Sequence, residues 1–143
     1  MHTHLVFSTK NRQPLIMDTI RANLHAYVSV VLQDIECPAS IINSVDDHIH
    51  VLFLLGRTRA VSEVVEKVKT ASSKWMKRQG DEFAMFSWQT GYGVFSVSES
   101  QSGIVQRYIA RQAERHRKTS FQAEYRAFLE RHRVAYDERY VWD

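Results

Sequence analysis

The sequence contains almost no cysteine: Cys37 is the only one in 143 residues, which excludes an internal disulfide and implies no oxidising compartment. It also lacks a signal-peptide pattern and any apolar stretch close to the ~20 residues that a membrane-spanning helix needs. Only two prolines and five glycines are present, without a low-complexity run or a repeat, which argues against long disordered linkers. We therefore expect one cytoplasmic domain over residues 1–143, with no membrane partner.

Positive charge is unevenly distributed, although the formal net charge is only +3. Residues 57–78 contain seven Lys or Arg against two Glu, and residues 101–118 contain five against one. Two basic helices in an otherwise balanced chain suit a polyanionic partner, although solvated helices often carry such residues as well. The candidates for contacts with a nucleic-acid backbone are Lys10, Arg12, Lys67, Lys69, Lys74, Arg107, Arg111 and Arg115.

Hydrophobic periodicity predicts the order β-α-β-β-α-β followed by two helices. The expected strands are 4–9, 41–45, 48–55 and the end of 88–98, with Asp46-Asp47 as a hairpin turn between the second and third strands. Asp18 is the expected N-cap of the first helix, and the second helix follows Gly56. The third helix is expected from about Glu99 to Arg117, opened by a capping box of Ser98 and Gln101, and the last from Phe121 to Leu129.

This order predicts an α+β fold, namely a ferredoxin-like β-α-β-β-α-β antiparallel sheet with additional C-terminal helices. Two helices are expected on one face of the sheet. The strand 48–55 is apolar on both of its faces, which is typical of a central strand that is covered on both sides. The third helix is the expected cover of the second face.

Two histidines in the strand 48–55 form the first candidate site. His48 and His50 alternate with Ile49, and residues i and i+2 of a strand point to the same face. Two neutral imidazoles side by side could hold one divalent cation, although a His-X-His sequence in a strand is more often structural. His2 and His4 repeat the spacing at the N-terminus, where we expect exposed edge residues.

The apolar stripe of the third helix carries the polar residues Tyr108, Gln112 and His116, of which the first two form the second candidate site. They are four residues apart, so their side chains lie roughly 5–6 Å from each other on the face that is expected to meet the sheet. A packed aromatic is the simpler interpretation of Tyr108 alone. A cation held by His48 and His50 would supply a partner for the polar groups, and Gln112 could be its third ligand. Such a mixed nitrogen and oxygen set suits Mg²⁺ or Mn²⁺ better than structural zinc.

In such a site, Tyr108 would be the nucleophile. A phenol with a pKa of about 10 attacks poorly at neutral pH, and a divalent cation makes its deprotonation easier. The cation also polarises the non-bridging oxygens of a phosphodiester. Attack on phosphorus would form a phosphotyrosine and release a hydroxyl, and a second strand end could reverse the step. The predicted reaction is therefore strand transfer rather than hydrolysis.

With these motifs in this order, the chain resembles the single-tyrosine HUH transposases of the smallest bacterial insertion sequences. The resemblance covers nearly the whole chain. It rests on Leu5-Val6-Phe7-Ser8-Thr9-Lys10-Asn11-Arg12, Asp47-His48-Ile49-His50, Trp88-Gln89-Thr90-Gly91-Tyr92-Gly93-Val94-Phe95-Ser96-Val97-Ser98, Tyr108-Ile109-Ala110-Arg111-Gln112 and Tyr136-Asp137-Glu138-Arg139-Tyr140.

The resemblance implies a DNA transposase whose metal ligands are His48, His50 and Gln112. It implies that Tyr108 takes the 5′ phosphate and leaves a 3′ hydroxyl. The expected partners are single-stranded DNA with hairpins at the element ends and a second copy of the chain, in a homodimer whose sheets merge. Two alternatives remain open: a domesticated REP-associated transposase that processes chromosomal palindromes, and a non-catalytic single-stranded DNA-binding module of the same fold.

Overall fold

The computed structural model describes residues 1–112 together with Ala127 and Glu130. Its strands and helices follow the predicted order. They are β1 (His2–Ser8), α1 (Asp18–Asp34), β2 (Ala39–Ser44), β3 (His48–Leu54), α2 (Val61–Lys77), β4 (Gly93–Val97) and α3 (Ser102–Ala110). Three short 3₁₀ turns are formed by Lys10–Arg12, Asp81–Phe83 and Glu99–Gln101. Of the expected last helix, only Ala127 is among the described residues, and it is helical; the aromatic tail 136–142 and Arg115 lie outside them.

The four strands form one antiparallel sheet in the order β2-β3-β1-β4. Strand β3 lies between β1 and β2, so the crossover through α1 spans one intervening strand, as in the predicted ferredoxin-like arrangement. The expected Asp46-Asp47 hairpin is present, because the N–H of Val45 donates to the carbonyl oxygen of His48 at 3.1 Å. The fold class predicted from the sequence is confirmed.

One face of the sheet carries an apolar core under α1 and α2. The side chains of β1 and β3 on this face alternate with those on the opposite face, as the two-residue period requires. The helices contribute the apolar stripes that periodicity predicts. The core includes Leu5, Phe7, Leu24, Val28, Leu32, Ile49, Val51, Phe53, Val64, Val68 and Met76, each at most 2% exposed.

The second face of the sheet is covered by α3. Its apolar contacts form a smaller cluster of Val6, Leu52, Phe95, Val97, Val105, Tyr108 and Ile109. His48 and His50 are on the same face and are fully buried, with 0% exposure. Strand β3 is therefore covered on both sides, and α3 is the cover that the sequence predicted.

Two predicted helix caps are wrong. Asp18 is the first residue of α1 rather than its N-cap, and its carboxylate pairs with Arg21 at 2.8 Å within the first turn. Ser98 precedes a 3₁₀ turn and makes no side-chain capping bond; its hydroxyl lies 3.2 Å from that of Ser100 instead. The 3₁₀ turn places the α-helical start at Ser102, three residues after the predicted one. No helix among the described residues is both long and apolar enough to cross a membrane.

Candidate active site

His48 and His50 lie side by side on β3, with their ring centroids 5.1 Å apart. The strand period places both rings on the face that α3 covers. Asp47, in the turn before β3, orients the first ring: its Oδ1 lies 2.8 Å from Nδ1 of His48. Because a carboxylate only accepts hydrogen bonds, Nδ1 of His48 carries the hydrogen of this contact, and in the neutral ring Nε2 has the lone pair.

The Asp47 carboxylate is itself held by Arg12, whose Nε lies 3.3 Å from Oδ2. Arg12 reaches this position from the turn after β1, where Asn11 (φ 58°) and Arg12 (φ 57°) both adopt the left-handed region. That backbone is unfavourable for residues other than glycine, and such conformations persist where surrounding contacts hold them. A chain of contacts therefore runs from Arg12 through Asp47 to His48.

His50 contacts a second buried histidine, His4 of β1. Nε2 of His4 lies 3.0 Å from Nδ1 of His50, and the two rings stack with centroids 5.2 Å apart. Burial lowers the pKa of His4 from 6.5 to about 3, so this ring is neutral at physiological pH. The expectation that His4 is an exposed edge residue is wrong, because β1 pairs with both β3 and β4 and His4 is 1% exposed. His2 pairs instead with Glu99, at 2.5 Å.

Tyr108 reaches the histidines from α3, and Gln112 reaches them from a helical position just after the turn at Arg111. The Tyr108 ring is nearly perpendicular to that of His50, with centroids 5.9 Å apart. Oε1 of Gln112 lies 3.4 Å from Nε2 of His48. Both side chains are buried, at 3% and 1% exposure. The structure thus brings the four predicted site residues together within one chain.

Asn43 of β2 attaches the end of α3 to the sheet. Its side-chain amide donates to the carbonyl oxygen of Ile109 at 2.8 Å and approaches that of Ala110 at 3.3 Å. The last carbonyl groups of a helix lack the partners that a continuing helix would provide, and this contact supplies a donor to two of them. Asn43 also lies opposite His50 in the strand register. Sequence reasoning missed Asn43, because a polar residue inside a short apolar strand carries no sign of a distant helix end.

The predicted nucleic-acid contacts lie in several places. Lys10, Lys67, Lys74, Arg107 and Arg111 are exposed, and Arg12 holds Asp47. Helix α2, which carries Lys67 and Lys74, packs on the sheet face opposite to α3. Among the described residues of a single chain, the basic residues of the two helices therefore do not form one continuous surface around Tyr108. Their contacts with nucleic acid stay predictions.

Lys69 differs from the other predicted contacts because its ammonium group is turned inward. Nζ donates to the carbonyl oxygens of Gln89 and Gly91, each at 2.8 Å, and lies 5.2 Å from the centroid of the Phe7 ring. Burial lowers the pKa of Lys69 to about 8. These contacts attach the loop before β4 to α2, which favours a structural role over a phosphate contact.

The described residues contain no group of three or more His, Cys, Asp or Glu arranged to hold a metal ion. The predicted ligand set contains only two such residues, His48 and His50, and its third member is an amide. Binding of Mg²⁺ or Mn²⁺ therefore stays a prediction, to which the chemistry of two imidazoles and one amide oxygen is suited.

Comparison with known proteins places this arrangement in a family. No curated protein sequence matches the chain. A transposase structure from Deinococcus radiodurans R1 is similar with a TM-score of 0.62 at 21% identity, covering 78% of this chain and 90% of that one. A REP-associated tyrosine transposase bound to a REP hairpin gives a TM-score of 0.62 at 14% identity, covering 80% and 67%. The sequence profile described as "Transposase IS200 like" matches residues 1–112, and the chain therefore belongs to the IS200-like transposase family.

Proposed function

We propose that this protein is a metal-dependent transposase that nicks and rejoins single-stranded DNA, with Tyr108 as its nucleophile. One observation carries the proposal: a phenol, two imidazoles and an amide from two segments that are distant in the sequence meet in one buried cluster. A core position that only needs packing would not select four polar side chains, because burying them costs free energy unless each finds a partner. Membership of the IS200-like transposase family supports the same reaction.

The spacing of the polar atoms suits a divalent cation. Nε2 of His48 and Oε1 of Gln112 lie 3.4 Å apart, and both present lone pairs when Asp47 holds the hydrogen of His48 on Nδ1. Two lone pairs at that distance repel unless a proton or a cation lies between them. Two adjacent ligand atoms at about 2.1 Å from one cation are about 3.0–3.4 Å apart, depending on the coordination angle. We propose His48, His50 and Gln112 as the ligands and Mg²⁺ or Mn²⁺ as the metal.

When bound, the metal would withdraw charge from the non-bridging oxygens of the scissile phosphate and favour the phenolate form of Tyr108. The phenolic oxygen then attacks phosphorus, so a Tyr108 O–P bond forms and the P–O3′ bond breaks. The phenol loses its proton and the departing 3′ oxygen gains one, so the products are a 5′-phosphotyrosine and a 3′ hydroxyl. Attack by another 3′ hydroxyl reverses these steps and joins two strands.

The proposed substrate is single-stranded DNA with hairpins at the element ends, and the proposed assembly is a cytoplasmic homodimer. The REP-associated relative was solved with a REP hairpin, which supports a hairpin substrate here. Tyr108 and the histidines are at most 3% exposed, so a DNA strand reaches the phenol only after part of this cover moves. Movement of the α3 end, which Asn43 attaches to β2, would open the site.

The test is a covalent-adduct assay with the full chain. The protein is incubated with labelled hairpin oligonucleotides from the flanks of its gene, in Mn²⁺ or in EDTA, and run on denaturing gels. We expect a slow-migrating adduct that requires Mn²⁺ and disappears in Tyr108→Phe, a variant that lacks only the hydroxyl. An adduct that persists in Tyr108→Phe refutes the nucleophile. Hairpin binding without an adduct in any metal identifies the non-catalytic binding module instead.

A further inference from the structure

His4 and His50 share a single hydrogen bond inside the sheet. The two rings come from neighbouring strands, β1 and β3, and Nε2 of His4 is 3.0 Å from Nδ1 of His50. Both side chains are at most 1% exposed, and burial disfavours the charged imidazolium. The His4 ring is neutral, and a histidine that binds a cation is neutral too, so each ring then has one N–H and one lone pair.

Only two arrangements of the hydrogen satisfy this contact. If His4 donates from Nε2, then Nδ1 of His50 accepts and the N–H of His50 is on Nε2, which prevents Nε2 from binding a cation. If Nδ1 of His50 donates, then Nε2 of His4 accepts and Nε2 of His50 keeps its lone pair. The two arrangements differ in whether the His50 nitrogen on the far side of the ring can act as a ligand.

We propose that His4 is a positioning residue for the metal site: it accepts the hydrogen bond from Nδ1 of His50 and so keeps Nε2 of His50 as a metal ligand. This inference rests on the proposed function, because it requires that His48 and His50 hold a cation. The neighbouring ligand is built in the same way, since Asp47 accepts from Nδ1 of His48 at 2.8 Å. Metal-binding histidines commonly donate their other N–H to such a partner, which fixes the ring and its tautomer.

The position of His4 supports a role beyond filling space. Its ring stacks on His50 with an interplanar angle of 27° and contacts Phe95 at a centroid distance of 6.3 Å. A phenylalanine at this position could make both ring contacts, whereas it could not accept a hydrogen bond. An apolar ring would therefore satisfy the packing and leave the tautomer of His50 unspecified.

The test measures binding of Mn²⁺ alone, by titration calorimetry or by the electron paramagnetic resonance of free Mn²⁺. We expect His4→Phe to weaken Mn²⁺ binding about 10- to 100-fold, the range for loss of a partner of a ligand. His4→Gln keeps an acceptor oxygen, and we expect it to restore most of that affinity. The matched control is His2→Phe, two residues earlier on the same face of β1, which should bind Mn²⁺ as the unsubstituted protein does.

A second readout is the tautomer of His50, measured by ¹⁵N NMR of the metal-free protein. We expect the hydrogen on Nδ1 in the unsubstituted protein and a shift toward Nε2 in His4→Phe. A hydrogen on Nε2 in the unsubstituted protein overturns the proposal, even if the variants fail to fold. Equal Mn²⁺ affinity in His4→Phe and the unsubstituted protein overturns it too.

Failure of the proposed function has a different signature. In that case the unsubstituted protein and His48→Ala bind Mn²⁺ equally weakly, whatever residue occupies position 4. If His48→Ala abolishes Mn²⁺ binding while His4→Phe leaves both the affinity and the His50 tautomer unchanged, the metal site stands and only the role of His4 is refuted.

Discussion

The two faces of strand β3 are both buried over residues 48–53 but differ in chemistry: one is apolar, and the other, the polar face, carries two histidines. Toward α1 and α2, β3 presents Ile49, Val51 and Phe53, all 0% exposed. Toward α3, the same strand presents His48 and His50, also 0% exposed, before Leu52. Successive side chains of this seven-residue strand therefore point alternately into an apolar and a polar environment.

The two faces therefore have different roles: one stabilises the fold, and the other carries the reactive groups. Apolar burial lowers the free energy of the folded state by about 1.5–3 kcal/mol for each large side chain. Buried imidazole and amide groups need partners, and even then a hydrogen bond contributes only about 0.5–1.5 kcal/mol. The apolar face therefore holds the fold together, whereas the polar face holds reactive groups in place through contacts such as those of Asp47 and His4. The predictions below test this division.

The largest expected effect on stability is on the apolar face. Phe53→Ala removes a fully buried ring from the central strand, and we expect the free energy of unfolding to fall by about 3–5 kcal/mol. Urea denaturation measures this loss. On the polar face, Tyr108→Phe removes only a hydroxyl and should change the free energy of unfolding by less than about 1.5 kcal/mol. If Tyr108→Phe costs as much as Phe53→Ala, the proposed division between the faces is wrong.

The next substitution, Gln112→Leu, is expected to raise the free energy of unfolding rather than lower it. Nε2 of Gln112 is a buried donor without a hydrogen-bond partner among the described residues, an arrangement that costs about 1–3 kcal/mol. Gln112→Leu removes that donor at similar volume. We expect the unfolding free energy to rise by about 1–2 kcal/mol, whereas Mn²⁺ binding and the covalent DNA adduct are lost. A variant that is less stable, or that still forms the adduct, would show that Gln112 is a packing residue.

A smaller effect is expected at the attachment of α3. Asn43→Ala removes the amide that donates to the carbonyl oxygens of Ile109 and Ala110, and should cost about 0.5–1.5 kcal/mol. Asn43→Asp should cost more, because its carboxylate would face two carbonyl oxygens. Hydrogen exchange checks the location: amides of α3 should exchange faster in both variants, while those of α1 stay protected. Uniformly faster exchange would mean that Asn43 supports the whole fold.

The sequence predicted those features that follow from local periodicity. The two-residue period of a strand places His48 and His50 on one face of the sheet. The helical period places Tyr108 and Gln112, four residues apart, on one face of the helix. The double-sided apolar pattern of 48–55 predicted a central strand, so the cover by α3 followed. The fold order and the hairpin at Asp46-Asp47 could be predicted for the same reason, because each depends on residues close together in the chain.

The features that could not be predicted depend on residues far apart in the chain. His4 meets His50 because of the register between β1 and β3, across 46 residues. A signal was present, since His4 lies inside the predicted strand 4–9, but its burial follows only once β1 is known to have a neighbour on both sides. Lys69 is similar: its spacing on α2 does not reveal that the Gln89–Gly91 carbonyls will accept its hydrogens.

The smallest expected effect on stability is a pH dependence that comes from a histidine on the apolar face. His25 of α1 lies 2.7 Å from the Ser44 hydroxyl, and burial, followed by the charge of Arg21, lowers its pKa from 6.5 to about 4. Between these values the unfolded chain binds a proton that the folded chain does not, so stability present above pH 6.5 is lost as the pH falls toward about 4.

For one proton, this loss is at most about 1.4 kcal/mol per pH unit, and less for a side chain that solvent partly screens. His25→Gln does not titrate, so its unfolding free energy should fall less between pH 7 and 5 than that of the unsubstituted protein. His4, whose pKa is also lowered by burial, contributes equally to both proteins and cancels in the difference. Parallel pH profiles in urea denaturation would show that His25 does not contribute.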